Sequence, residues 1–476
     1  MRISFQGAFN CVQNLGAAER LALHLAVTDG VAEILGAKHH IQLPEVQLGH
    51  EDTAETGKDV AKVLTKLNAA GRKALEKRLT SGQIALGLGA QSLAEAFAQL
   101  DELKDDSVSG VETKKARFAR LQSDSEMNPL VQAADHFIAA FLQPKRLRDG
   151  EHRLTEQQAI GRFPTTATIG MALDGTLPLS HPVAEVVREI CRDARVLHWP
   201  TAFPQVFERG GFDGVLGNPP WERIKLQEEE FFATRHRDVA QARNKAERAQ
   251  RIQWLSEGML ARHLYPDLAH ATHEDEAEKR LYREFVTARR TAEAASVFAH
   301  VKGADGGRYP LTGVGDVNTY ALFAETILQI HADSGRAGFI VPTGIATDDS
   351  TKAYFGHITQ NRRLVSLLGL SNKEGLFPSV GSLITFCLIT LGKAGQTQFA
   401  FFATQVSQLA DPRRRFTLTP EEFRLINPNT LTCPVFRSER DAELTKKLYR
   451  AAPVLMRDAV AADEGKQAKE VEPTQN

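Results

Sequence analysis

The short apolar run FDGVLG (212–217) stops on Asn218, Pro219, Pro220 and Trp221, and those four residue types in that order suit one kind of chemistry. Consecutive prolines cannot continue a central ladder, so the run must end there. In an open α/β sheet, ligands gather beyond the carboxyl ends of strands. The Asn218 amide oxygen beside a rigid turn carbonyl offers two hydrogen-bond acceptors fixed close together. The Trp221 ring offers a flat face on which a planar base can stack. Together they would hold both N–H groups of an exocyclic amine. Such an amine is a poor nucleophile because its lone pair is delocalised into the ring. Two acceptors favour a more tetrahedral nitrogen, whose lone pair can attack an electrophilic methyl without any protein nucleophile. The plain alternative is a Pro-rich surface turn.

Other chemistries find less support in the same letters. Cys11, Cys191, Cys387 and Cys433 are far apart, with no CxxC pair and no His at ligand spacing. They read as buried small hydrophobes in a reducing cytoplasm, with no zinc site. Attack on a base carbon needs a Pro-Cys nucleophile, whereas Cys433 and Pro434 stand in the reverse order. No GxSxG elbow occurs, and GSLITF (381–386) is a glycine leading into a strand. There is no GxxxxGK[ST] phosphate loop. A net charge of −1 advertises no global basic field, although a local basic face can hide within it. No apolar run is long enough to span a membrane and the first residues lack a secretory pattern, so the expected location is the cytoplasm.

The 476 residues, 42% hydrophobic and 25% charged, provide material for two or three domains. Residues 15–145 are rich in Ala, Leu, Lys and Glu at helical spacing, as in 59–79 and 91–103, and 1–145 is expected to be a helical region. Loops are expected at 123–129 and 142–158. From 181 the pattern changes: a helix over 181–194, strands at ARVLHWP (194–200) and GGFDGVLG (210–217), then after an interruption a helix over 318–332 and a strand over 336–342. A helix over 350–363 and strands over 364–370 and 382–392 follow. Residues 227–300 are charge-rich and helical in period, which predicts an inserted helical hairpin. The expected organisation is an α/β core from 146–226 and 301–405, the insertion at 227–300, the start of a connector at 406–455, and a disordered tail over 456–476.

At Asn218, Pro219, Pro220 and Trp221 the sequence resembles the amino-methylating DNA methyltransferases, whose motif IV is Asp/Asn-Pro-Pro-aromatic. The asparagine form points to adenine N6. The resemblance runs on through HWPTAFPQVF (198–207), GFIVPTGIATD (338–348), NKEGLFPSVGSLITFCLITL (372–391) and INPNTLTCPVFRSERDAELTKKLY (426–449), about residues 130–455 in all. It is to the large single-chain adenine methyltransferases of type II restriction–modification and phage defence. It implies a Rossmann-like class I methyltransferase core, S-adenosyl-L-methionine as cofactor, and partners in double-stranded DNA and other subunits of a defence system. It also implies catalytic roles for Asn218, Pro219, Pro220 and Trp221. Phe377 resembles the family's second aromatic on the opposite face of the base; a core phenylalanine is the alternative. Arg223 and Lys225, directly after the pocket, and Lys373, before Phe377, are candidate phosphate contacts; solvated surface charge is the alternative.

The family carries a first strand ending in a glycine-rich loop that packs against the methionine part of the cofactor, and a later acid that holds the ribose. Here the nearest stretch is IALGLGAQSLAEAF (84–97), where Gly87 and Gly89 lack a leading acid and read as a loose turn. The cofactor-binding residues therefore stay unassigned. The expectation is a sequence that begins inside the catalytic domain and stops short of the target-recognition region. Two functions follow: an adenine-N6 DNA methyltransferase, or an inactive relative that binds DNA or a partner.

Overall fold

A computed structural model describes residues 54–80, 88–126, 128–148, 150–267, 275–300, 308–378 and 380–454. The chain divides into two compact units. Among the described residues, one unit holds Val206–Glu222 and everything from Tyr309 onward, and the other holds the rest.

The first unit is built on a mixed sheet. Its described strands are β1 (Phe212–Gly217), β2 (His331–Pro342), β3 (Leu364–Ser371), β4 (Thr385–Leu391), β5 (Thr397–Ala403) and β6 (Arg415–Leu418), in the order β1-β2-β4-β3-β5-β6. β1 runs parallel to β2 and β3 parallel to β5, while β4 lies antiparallel to both β2 and β3. The carboxyl ends of β1, β2 and β3 and the start of β4 therefore meet along one edge of the sheet. The segments that leave β1, β2 and β3 there are 218–222, 343–348 and 372–384.

The apolar runs GFIVP in β2 and LITL in β4 are buried or half-buried because these strands are internal to the sheet. One face packs on a cluster that includes Phe399, Phe401, Phe416 and Phe423 beneath Tyr354 and Phe355. The opposite face gathers Ile340, Leu370, Phe386, Ala400 and Ala403, with Trp221 and Phe377 against it. Helix Thr319–Ile330 links the excursion after β1 back to β2, and Tyr354 donates its hydroxyl proton to the Ala324 carbonyl at 3.2 Å.

β1 differs from the central strand that the sequence suggests. Among the described residues it is an edge strand, and Leu216 is 71% exposed on it. The Rossmann-like expectation is met in part, as a mixed α/β unit with antiparallel strands.

The second unit is helical among its described residues. Helix Pro129–Leu142, capped by the Asn128 side chain on the Leu130 N–H, packs on Thr166–Leu173 and on Glu276–His300. The expected helix over 181–194 is Pro182–Asp193. The expected strand at 194–200 is absent: Arg195 turns the chain at φ 51°, His198 reaches back to the Asp135 carboxylate at 2.9 Å, and Trp199–Ala202 forms a helical turn. Among the described residues of 227–300 the long helices Lys245–Glu257 and Glu276–His300 are accompanied by three short ones, which makes the segment richer than a hairpin. No described helix is long and apolar enough to cross a membrane. The tail over 456–476 lies outside the described residues.

Candidate functional site

The chain leaves β1 at Gly217 and turns through Asn218, Pro219, Pro220 and Trp221, with Pro219 buried and the other three half-buried. What fixes this turn is a residue about a hundred positions later. Thr319, fully buried at the start of its helix, offers its hydroxyl to the Pro220 and Glu222 carbonyls, each 2.9 Å away, and its N–H donates to the Glu222 carbonyl at 2.9 Å. Two rigid prolines, one hydroxyl proton shared between two carbonyls and one N–H donor leave the turn few conformations.

Trp221 is held as firmly. Its indole N–H donates to the Ile340 carbonyl of β2 at 3.3 Å. Its ring lies tilted against Phe386, with centroids 5.9 Å apart, and edge to face with Phe377 at 5.9 Å and 82°. Phe377 stands at 4.8 Å from Phe386. Trp221 and Phe377 thus share one aromatic cluster, and their near-perpendicular planes do not form a parallel-walled slot.

One polar atom here has no partner. Asn218 Oδ1 is buried and accepts no hydrogen bond among the described residues. An acceptor stripped of water and left unpaired costs about 1–3 kcal/mol; Gln143 Oε1 and Gln205 Oε1 are also buried without a hydrogen-bond partner among the described residues. The atom lies just past the end of β1, where the sequence places a base-holding acceptor.

Phe377 and Lys373 are presented by a loop that leaves β3, and Asn372 organises it. This fully buried side chain donates from Nδ2 to the Phe377 carbonyl at 3.0 Å and the Val380 carbonyl at 2.6 Å, and Oδ1 accepts the Phe377 N–H at 2.9 Å. Lys373 is exposed on the turn Asn372–Glu374. Arg223 and Lys225, also exposed, follow the turn along the chain and belong to the helical unit.

Beyond β2, a Cβ at Gly344 would press on the Asp348 carboxylate and the Tyr320 hydroxyl, so a larger residue there would displace those side chains. Burial first, and then the Asp348 charge, push the Tyr320 phenol up to about 12, so it stays a proton donor. Burial also pushes up the Cys387 thiol, in line with an inert core cysteine.

Thr319 and Asn372 escaped the sequence reading. An asparagine opening a Gly- and Pro-containing loop was a usable signal, because its amide can tie a loop to itself. Nothing local marks Thr319, whose partners lie 97 and 99 residues away. For the cofactor, Gly89 lies inside helix Leu88–Asp101, which removes it from any strand-to-helix loop, and Gly87 lies outside the described residues. Among the described residues no strand precedes β1 and no His, Cys, Asp and Glu cluster suits a metal.

Residues 177–252, which include the Asn-Pro-Pro-Trp turn, match the family model of the Eco57I restriction-modification methylase. The resemblance to the methyltransferases of restriction–modification systems therefore holds. No curated relative matches the chain at a significant level. Among solved structures, a type I restriction-modification system methyltransferase subunit from Streptococcus thermophilus is similar at 11% identity, covering 91% of this chain and 100% of its own, with a TM-score of 0.25. A chain from a structure of type I R-M complex assembly and conformational transition gives 12% identity, 91% and 90% coverage and a TM-score of 0.25. The type IIG restriction endonuclease BpuSI gives 12%, 76% and 45%, and 0.19.

Proposed function

We propose that this chain is a restriction–modification DNA methyltransferase that acts on adenine N6, with S-adenosyl-L-methionine as the methyl donor. The observation that carries the reading is the unpaired, buried Asn218 Oδ1 at the carboxyl end of β1, inside a turn fixed by Thr319 and beside Trp221. A target adenine swung out of the duplex costs a few kcal/mol of lost stacking and pairing. In this reading the pocket offsets that cost by accepting one amino N–H at Asn218 Oδ1 and the other at a carbonyl of the proline turn. Trp221, its plane fixed by Ile340 and Phe386, receives the face of the base. Holding both N–H groups favours a more tetrahedral N6 with an available lone pair. Phe377 braces Trp221, and Lys373 contacts a phosphate next to the extruded nucleotide; Arg223 and Lys225 are further candidate phosphate contacts.

The described residues do not fit the donor. They lack a strand ending in a glycine-rich loop ahead of β1, which would cradle its methionine end. That one observation favours a second reading, a relative that binds DNA or a partner without transferring a methyl group. Incubating the full chain with duplex DNA and radiolabelled S-adenosyl-L-methionine, then digesting to nucleosides, decides between them. Label in N6-methyladenine is expected; label in N4-methylcytosine sinks the adenine assignment, and no label with retained DNA binding favours the second reading.

A further inference from the structure

Phe402, near the end of β5, is a local outlier in three respects. Its φ is +59°, a left-handed conformation rare for a bulky residue. It sits in a bulge: β3 advances from Leu368 to Leu370 while β5 advances from Ala400 to Ala403. Bulges are uncommon in parallel pairs and often re-aim a side chain beside a functional site. Finally, the ring is 46% exposed although its neighbours Phe401 and Ala403 are buried. Gly369 on β3 leaves the space that Phe401 fills, so the core is satisfied by Phe401 and does not need the Phe402 ring.

The surroundings of that ring are cationic. The Arg437 guanidinium lies over it, 4.5 Å from the centroid, and Arg414 donates to the Phe402 carbonyl at 3.4 Å. Neither arginine forms a direct ion pair with a carboxylate among the described residues, although the Asp411 carboxylate that Arg413 holds also feels the Arg414 charge. The nearby acids are engaged elsewhere: Asp411 with Arg413, and Glu374 with Thr404 and Gln405. The bonds from Thr404 and Gln405 to Glu374 tie the end of β5 to the turn that carries Lys373. An exposed aromatic in a costly conformation, two guanidinium groups without a direct ion pair among the described residues, and a link to the turn that carries Lys373 thus lie together.

We propose that Phe402, Arg414 and Arg437 form a second DNA-contacting strip that extends from Lys373, with Phe402 holding the Arg437 guanidinium ready for a phosphate. The assignment rests on the methyltransferase reading and names where the duplex lies on this unit. Exposed cation–aromatic pairs are preorganised charge, and each phosphate they neutralise adds to the salt dependence of binding.

Phe402→Gly separates function from folding, because glycine adopts the left-handed region without penalty. Binding of the full chain to a labelled duplex of mixed sequence, followed by anisotropy over a salt series, is the measurement. Phe402→Gly should melt no lower than the parent yet bind about tenfold more weakly, and Arg437→Gln should flatten the logarithmic salt dependence by about one unit. A parent that binds while Arg437→Gln keeps its salt slope overturns the strip alone, whatever Phe402→Gly does to folding. So does a Phe402→Gly variant that melts no lower and binds as well as the parent. A parent that binds no duplex overturns the strip and the methyltransferase reading together.

Discussion

Replacing Asn218 by alanine tests the site through stability and activity at once. In the free protein the buried Oδ1 lacks a hydrogen-bond partner among the described residues, a cost of about 1–3 kcal/mol. Alanine removes that cost and gives up roughly 1 kcal/mol of packing. The variant should therefore be as stable as the parent or more stable by up to about 2 kcal/mol, a rise of a few degrees in melting temperature for a unit of this size. Ordinary truncation of a half-buried side chain goes the other way. Activity should fall steeply, because an acceptor that strengthens as the amine reacts is worth about a hundred- to a thousandfold in rate, by analogy with removal of one preorganised hydrogen bond at a reacting centre. Thermal melting and total methyl incorporation into plasmid DNA are the assays. A variant that loses more than about 1 kcal/mol of stability while keeping its methyl incorporation refutes the reasoning, since Asn218 would then be a structural residue.

Other outcomes follow from the same structure. Asn372→Ala leaves the Phe377 N–H and two carbonyls of the 372–381 loop without their partner, and urea melts should show a loss of about 2–4 kcal/mol; a loss below about 0.5 kcal/mol means that the loop holds itself. Neutralising Arg223, Lys225 or Lys373 to glutamine should each flatten the salt dependence of duplex binding by about one unit without changing sequence preference, and three unchanged slopes dismiss them as phosphate contacts. His331 accepts from Arg363 and donates Nδ1–H to the Ile327 carbonyl at 2.8 Å, and burial holds its pKa below the ordinary histidine value. The unfolded chain then binds the extra proton more readily, so this contribution is fully present above about pH 6.5 and is lost as the pH falls through the lower folded value. Melting temperature measured from neutral pH down to about 5 should drop less in His331→Gln than in the parent; equal drops remove His331 from the acid sensitivity.

The sequence by itself determined the elements and the stops between them. FDGVLG had to be a strand that ends at Pro219 because proline cannot donate to a ladder, and Phe212–Gly217 is that strand. Pro182 opens a helix, and 364–370 and 382–392 read as strands, because proline φ, β-branched packing and periodicity act within a few residues. Tertiary structure decided the rest. ARVLHWP carries strand-like residues, but a histidine–aspartate contact over 63 positions and a left-handed Arg195 bend it into a turn. The insertion of β4 between β2 and β3, and the edge position of β1, are choices of pairing partner that no local pattern encodes. The Asn-Pro-Pro-Trp residues were legible as a turn with acceptors. That Asn218 Oδ1 has no partner among the described residues, that Trp221 is pinned to Ile340, and that Thr319 clamps the turn emerged only once chain segments about a hundred residues apart were packed together. A hydrogen-bond vacancy is a property of everything surrounding an atom, and sequence specifies the atom without its surroundings.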